Sequence, residues 1–416
     1  MARRLASGKK IRVGVVGLGQ GQAFMRGIAG LELVAICDTW KSKLRELGRR
    51  LKVATYADYD KFLQHDMDAV ALANYFHQHA PFAIKALEAG FHVISECTAC
   101  KTLAEGVALC RAVEKSGRVY MLAENYPYTV CNVEMQRLYG AGEIGRVLYA
   151  EGEYNHPMSG DDRMRISPGM HHWRHWMPPT YYSTHAMAPL MTITDTMPVS
   201  VNGLTIAAPE LDMMTVRRGD PGFVILCRMD NGAVFRLFGL LVPGHSIWYR
   251  LHGLRGSMES VRGGGYWGPG LVRIVHEPWD LKSGELRERT YTPGFPRWAV
   301  EAGLASEGGY SFPNYYFAQA IRTGRKPFMD VYRAVAMSAV GILAWKSAME
   351  GGRPFDVPDF RKESQRKKYQ DDRWSPFPED AGPGQPPATL CGNVQPSAKA
   401  VARARKIWRD IGYVGE

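Results

Sequence analysis

The chain has 416 residues, enough for two domains with sizeable cores, and a net charge of +11. No apolar run approaches the ~20 residues that span a bilayer, and the basic start MARRLASGKK lacks the apolar stretch of a secretory signal. Seven cysteines, an odd number at irregular spacing, point to reduced thiols and a cytoplasmic protein with no disulfide framework.

Residues 11–38 read IRVGVVGLGQGQAFMRGIAGLELVAICD. The β-branched run 11–16 suits a buried parallel strand. The turn Gly17-Leu18-Gly19-Gln20-Gly21 follows, then an expected helix to about Gly30, a second strand at 33–37, and Asp38. Strand, glycine turn, helix, strand and acid in that order fit a dinucleotide-binding unit. Pyrophosphate is expected at the helix N-terminus and the ribose hydroxyls at Asp38. The Asp38 carboxylate repels a 2′-phosphate, which favours NAD over NADP.

Helices are expected at 41–51 and from 58, 81 and 102, and further strands at 69–73, 92–96 and 119–123. That alternation predicts a parallel sheet with helices on both faces. Ligands bind such sheets beyond the carboxyl ends of the strands. Asn74, His79, Glu96 and Asn125 lie there, on the rim shared with Gly17, Gly19, Gln20 and Asp38. Cys97 and Cys100 form a C-x-x-C, but after a strand of this sheet they read as buried filler, not as a redox pair.

From Val147 the texture changes. Strands are expected at 147–154, 199–206, 222–229, 233–238, 245–251, 256–260 and 271–275, with Asp230-Asn231-Gly232 as a hairpin turn. This predicts an open, mostly antiparallel sheet, after which helices at 315–323 and 331–349 pack back. Three parts follow: a Rossmann domain over 1–146, a substrate and oligomerisation domain over 147–360, and a basic Pro/Gly-rich extension over 361–416. Within the extension, 375–397 is expected to wrap the surface or stay mobile. Residues 398–411 are expected to form a helix that docks through Val401, Ile407, Trp408 and Ile411.

Much of the positive charge lies at the ends: Arg3-Arg4, Lys9-Lys10, Arg361-Lys362, Arg366-Lys367-Lys368 and 403–409. No nucleic-acid recognition pattern accompanies it, so solvated basic ends are expected, with no nucleic acid and no membrane as partner. The run His171-His172-Trp173-Arg174-His175-Trp176 has no cysteine or carboxylate to complete a zinc pattern, and no metal is expected. An aromatic, basic loop over a sugar is the better use of it, because tryptophan faces stack on pyranose rings.

The order of these features resembles the Gfo/Idh/MocA family. The matching stretches are the glycine turn, His79 with AIKALEAGFHVISE, Glu124-Asn125, GEIGRVLYAEGEY, and IRTGRKPFMDVYRAVAMSAVGILAWKSAMEGGRPFDVPDF. The resemblance implies a Rossmann domain joined to an open antiparallel sheet, an NAD(P) cofactor, substrate bound between the domains, and a homo-oligomer formed through the sheet. Dehydrogenases of the family carry Glu-Lys-Pro after the fourth strand; here the stretch is Glu96-Cys97-Thr98.

Trp173-Arg174 and the stretch YSTHAMAP, Tyr182 to Pro189, resemble the family's NAD-dependent glycosidases, such as α-N-acetylgalactosaminidase. Tyr128 after Glu124-Asn125, and GEYNH ending at His156, match the same branch. Its His-Gly-Gly-x-Asp element appears as Glu307-Gly308-Gly309-Tyr310-Ser311, with both polar ends changed. The resemblance implies hydride removal from C3 to a tightly bound, recycled NAD⁺, elimination across C1–C2, water addition, and hydride return. His185, Tyr182 and Tyr154 are the expected proton carriers, and Trp173, Arg174, His156 and Tyr128 the expected sugar contacts. An NAD-dependent sugar or cyclitol dehydrogenase, a sugar 3-oxidase or 3-keto-sugar lyase, and a non-catalytic NAD-binding protein are the alternatives.

Overall fold

The computed structural model describes residues 9–212, 214–266, 268–305, 309–392 and 394–413. Arg3-Arg4, Glu307 and Gly308 lie outside them. Strands β1 (Ile11–Val16), β2 (Leu31–Cys37), β3 (Ala54–Tyr56), β4 (Ala69–Leu72), β5 (His92–Ser95) and β6 (Tyr120–Leu122) form one sheet. Its order is β3-β2-β1-β4-β5-β6, and every pairing is parallel. Helices α1 (Lys41–Leu51), α2 (Tyr59–Phe62), α3 (His79–Glu88) and α4 (Leu103–Ser116) connect the strands. The order reverses between β1 and β4, where open α/β sheets hold ligands. This is the expected Rossmann domain.

The helix expected after the glycine turn is absent. The chain makes two short 3-10 turns, Gln20–Phe24 and Ile28–Gly30, before entering β2. Gly27, Ala29 and Gly30 all adopt positive φ, at 68°, 53° and 76°, which an α-helix of L-residues does not sustain. The apolar spacing over this stretch buries Ala23 and Phe24 without a helix.

The second sheet has nine strands: β7 (Val147–Asn155), β8 (Pro198–Ile206), β9 (Gly222–Met229), β10 (Val234–Leu240), β11 (Ser246–Gly253), β12 (Gly256–Ser260), β13 (Val272–His276), β14 (Glu288–Tyr291) and β15 (Phe355–Asp356). Its order is β14-β13-β12-β11-β7-β10-β9-β8-β15. Among the described residues, the β10–β7 pair is parallel and the other pairs are antiparallel. One face is covered by helices and the other carries Leu204, Val224 and Leu226 exposed.

The remaining helices are α5 (Val130–Gly140), α6 (Gly160–Ile166), α7 (Thr184–Thr194), α8 (Arg297–Glu301), α9 (Ser311–Thr323), α10 (Val331–Met349), α11 (Glu363–Tyr369) and α12 (Ala398–Asp410). Every residue of α7 is buried. It presses on β7 at Gly152, where a Cβ would stand 2.0 Å from the Ala186 carbonyl oxygen. That close approach requires glycine. Helix α10 joins the domains: Ser338 Oγ accepts from Ala99 N at 3.0 Å, and the helix packs along β8.

The extension wraps the surface. Phe377 is buried, and Trp345 Nε1 donates to Pro387 O at 3.1 Å. Helix α12 docks on α6 as expected of an amphipathic helix. Ala404, Ile407 and Trp408 pack with Met164 and Val216, and Trp408 Nε1 donates to Met164 O at 3.0 Å.

Candidate active site

Five of the six Rossmann strands deliver a candidate residue to the rim. After β1, Gly17 holds φ at 86°, and a Cβ there would stand 2.2 Å from Ala73 O. Gly19 faces open space, so the backbone is bare where a diphosphate would lie against it. Gly21 packs on β1, with its Cβ position 2.9 Å from Val15 Cγ1. After β2, Asp38 accepts from Leu18 N and from Trp40 N, both at 2.7 Å, so its carboxylate is pinned beside the glycine turn. A carboxylate has further lone pairs for ribose hydroxyls.

After β4, the buried Asn74 side chain has no hydrogen-bond partner on Nδ2 or Oδ1 among the described residues. A buried, unpaired amide at the switch point asks for a polar ligand. The open backbone at Gly19, the pinned carboxylate and this amide fit a dinucleotide. Gln20 is exposed on the turn, and Asn125 is buried at the end of β6. Burial, with the Glu124 charge beside it, raises Glu96 to about 8.

His79 differs from the expectation. It is 1 % exposed, with Nδ1 2.9 Å from Thr98 O and Nε2 3.2 Å from Asn74 O. Burial lowers it to about 4, so the ring is neutral and its single N–H donates to one of these two carbonyls. Both ring nitrogens face backbone carbonyls, so its visible role is internal, between the ends of β4 and β5.

Across the rim, the start of α7 brings His185 onto the end of β6. His185 Nδ1 lies 2.6 Å from Glu124 Oε1. Cys97 Sγ donates to Glu124 Oε2 at 2.7 Å, and Tyr249 O–H donates to the His185 carbonyl at 2.7 Å. Glu124 is fully buried. With Nδ1–H given to the carboxylate, Nε2 keeps the lone pair and is the base nitrogen. Three tyrosine rings surround the imidazole, with centroids at 4.6 Å (Tyr126), 4.6 Å (Tyr154) and 4.9 Å (Tyr182).

Burial pushes Tyr182 up to about 12 against the opposing charge of Arg174, and pushes Tyr154 well above its usual range. Both phenols are therefore proton donors at neutral pH, not bases. Burial, followed by the nearby Glu124 and Glu96 carboxylates, also raises the Cys97 thiol well above normal. That thiol is a protonated donor, not a nucleophile.

The aromatic loop closes on this cluster. The Arg174 guanidinium lies 4.2 Å from the Trp173 ring centroid and 5.7 Å from that of Tyr182, and the Trp173 and Tyr182 rings are 5.8 Å apart. His156 sits farther out, 4.6 Å from Tyr266 and 6.1 Å from Tyr154. Tyr128 is not brought here. It stacks on Phe312 at 5.3 Å in a separate apolar cluster with Ala299 and Leu304. Tyr126, two residues earlier, takes the site position, with its hydroxyl 2.5 Å from that of Tyr266.

Glu124, Tyr126, Tyr249 and Tyr266 are site residues that sequence reasoning did not select. Glu124 did carry a signal, an acid two residues after the buried strand Tyr120–Leu122 and part of the matching Glu124-Asn125 pair. Cys97, Glu124 and His185 each offer a ligand atom within 4.8 Å of the others. Their contacts of 2.6 and 2.7 Å are hydrogen bonds, shorter than the ~3.3 Å between ligands that share a tetrahedral zinc.

Two family models match the chain. One, described as an oxidoreductase family with an NAD-binding Rossmann fold, covers residues 11–124; the other, the C-terminal domain of glycosyl hydrolase 109, covers 243–367. A glycosyl hydrolase family 109 protein of Streptomyces niveus is 25% identical over 398 residues, spanning 86% of this chain and 78% of that protein. An alpha-N-acetylgalactosaminidase of Bacteroides fragilis is 24% identical over 401 residues, spanning 86% and 93%.

Among solved structures, levoglucosan dehydrogenase in complex with NADH and levoglucosan superposes with a TM-score of 0.69 at 22% identity, covering 84% of this chain and all of that one. An aldose-aldose oxidoreductase from Caulobacter crescentus gives 0.67 at 18% identity, with the same coverage. These structures share the two-domain fold. The N-terminal part thus matches the NAD-binding Rossmann fold of the Gfo/Idh/MocA oxidoreductase model, the C-terminal part matches the glycosyl hydrolase 109 domain, and the chain as a whole is similar to proteins named for glycosyl hydrolase family 109.

Proposed function

We propose that the protein is an NAD⁺-dependent glycoside hydrolase that works by oxidation at C3, elimination, water addition and reduction, with the cofactor kept bound. Bound NAD⁺ would supply the hydride acceptor for C3 and return the hydride at the end of the cycle. The observation that carries the reading is the His185–Glu124 pair ringed by tyrosines. Glu124 holds Nδ1 protonated, so His185 Nε2 takes the proton leaving O3 or C2. Tyr182, held protonated by burial, gives a proton to the departing glycosidic oxygen, and Tyr154 is the second phenol within reach of the ring. Trp173 and Arg174 grip the sugar and exclude water.

The Glu-Lys-Pro lysine of the dehydrogenases has no counterpart. Cys97 occupies its place as a donor to Glu124, which supports proton handling by His185. Leu204, Val224 and Phe238 lie side by side across three strands on the open face of the second sheet. That apolar row supports a homo-oligomer formed through the sheet. Seven unpaired cysteines suit a reducing, cytoplasmic setting.

The test is a panel of nitrophenyl α- and β-glycosides incubated with protein and NAD⁺. Nitrophenol release without net NADH is expected. NADH accumulation without nitrophenol would make the protein a dehydrogenase instead.

A further inference from the structure

A cavity of about 780 Å³ opens where three distant segments meet, and no step of the proposed cycle uses it. Tyr75 and His77 come from the loop after β4, Trp176 from the aromatic loop, Glu379 and Thr389 from the extension, and Arg218 from the loop before β9. Its volume is in the range of ligand sites, roughly 300–1,000 Å³.

Two of its walls are the backs of active-site walls. Tyr75 directly follows the unpaired Asn74. The His172 ring contacts Tyr75 at 4.9 Å and stacks on Trp173 at 5.6 Å, and Trp173 reaches Tyr182. The third wall is built rigidly. Asp220, fully buried, accepts from Thr389 Oγ1 at 2.5 Å and from Leu390 N at 3.0 Å. Lys101 Nζ pairs with Asp380 at 2.6 Å. The extension is thus anchored on both sides of the opening, and the cavity is preformed.

The lining has a definite chemistry. Trp176 and Tyr75 are half-buried aromatic faces, and Phe377 and His77 hold Trp176 at its edges, 4.9 and 5.5 Å away. Glu379 is engaged by Lys101 at 3.2 Å and by the neutral His77 at 3.3 Å, and it shares that lysine with Asp380. Arg218 is exposed, and its guanidinium forms no ion pair among the described residues. Aromatic faces and an exposed guanidinium that line one cavity suit a ring that carries a carboxylate, since arginine binds that group in a bidentate fork.

We propose that this cavity is a second carbohydrate site, in which an anionic sugar unit stacks on Trp176 with its carboxylate on Arg218. The proposal rests on the glycoside reading for its substrate class, but its readout is binding and needs no turnover. The probes are methyl β-D-glucuronide and methyl β-D-glucoside, titrated calorimetrically into the full chain. The glucuronide is expected to bind wild type and His185→Ala alike. Arg218→Gln should weaken it about tenfold or more, as should replacing the carboxylate in the neutral glucoside.

Trp176→Leu should abolish the binding. If that variant does not fold, the exposed Arg218→Gln still decides. Arg218→Gln should leave nitrophenyl glycoside turnover unchanged. No glucuronide binding, equal affinity in Arg218→Gln, or loss of binding in His185→Ala would overturn the proposal. The last result would mean that the probe had read the catalytic cluster.

Discussion

Glu124→Gln isolates the group on which the proton chemistry depends. Glu124 is fully buried and accepts from two donors, His185 Nδ1 at 2.6 Å and Cys97 Sγ at 2.7 Å. Glutamine keeps the shape but has one acceptor oxygen, so one of the two donors must face an NH₂ group. It also removes the charge that stabilises an imidazolium as Nε2 gains a proton. A charge-assisted hydrogen bond is worth about 1.5–3 kcal/mol. Lost mainly in the transition state, that amounts to a roughly 10- to 100-fold fall in kcat. Substrate KM and NAD⁺ affinity should stay within about twofold, because Glu124 does not line the glycine turn.

The assay is steady-state aglycone release alongside rapid mixing of glycoside with NAD⁺-loaded enzyme, read at the nicotinamide absorbance band. Cys97→Ser, which keeps a donor to Oε2, is the companion variant and should lose no more than a fewfold. A Glu124→Gln enzyme with wild-type kcat, or one changed only in KM, would refute the reasoning.

Four other outcomes follow from the structure. Gly19→Val should fold normally yet lose NAD⁺ binding, because its Cβ enters open space, whereas Gly17→Ala should be destabilised by a Cβ placed 2.2 Å from a carbonyl oxygen at φ 86°. Thermal melts with and without NAD⁺ separate the two effects. Burial depresses His79, His92 and His175 to about 4, so the unfolded chain takes up protons first, and stability present above pH 6.5 is lost as pH falls toward 4. Each contributes at most ~3 kcal/mol, and His92→Gln should flatten the acid limb of Tm against pH; an unchanged limb would contradict this. Glu96, raised to about 8, acts in the opposite sense, so stability falls as pH rises from 4.5 through 8, and Glu96→Gln should remove that part. Dialysis against EDTA should leave activity unchanged, since the Cys97–Glu124–His185 contacts are hydrogen bonds; loss restored by zinc would show otherwise.

The strands were legible because burial on a pleated surface writes directly into sequence. The β-branched run Ile11–Val16 and the sheet strand Gly222–Met229 stand where the pattern puts them. Helix α10, Val331–Met349, was equally plain from its length of apolar sequence. The stretch after Gly21 misled because its apolar spacing serves two 3-10 turns. The positive φ of Ala29 is a tertiary outcome that composition does not announce.

Helix α7 was not read as a helix, since burial on every side erases its periodicity and Pro189 interrupts it. In the site, the Tyr182 and Tyr154 rings stand 4.9 and 4.6 Å from the His185 imidazole. The exchange of Tyr128 for Tyr126 depends on a 3-10 turn at Tyr126–Tyr128 that chooses which ring faces inward. The role of Glu124 depends on two partners, 27 and 61 residues away, that only the fold brings together.

In the proposed cycle His185 and its partners carry an elimination across C1–C2, not a direct displacement. Hydrolysis of an accepted glycoside in D₂O, followed by mass and NMR analysis of the released sugar, tests it. Deuterium at C2 with no net NADH is expected. Aglycone release with the C2 hydrogen fully retained would contradict it.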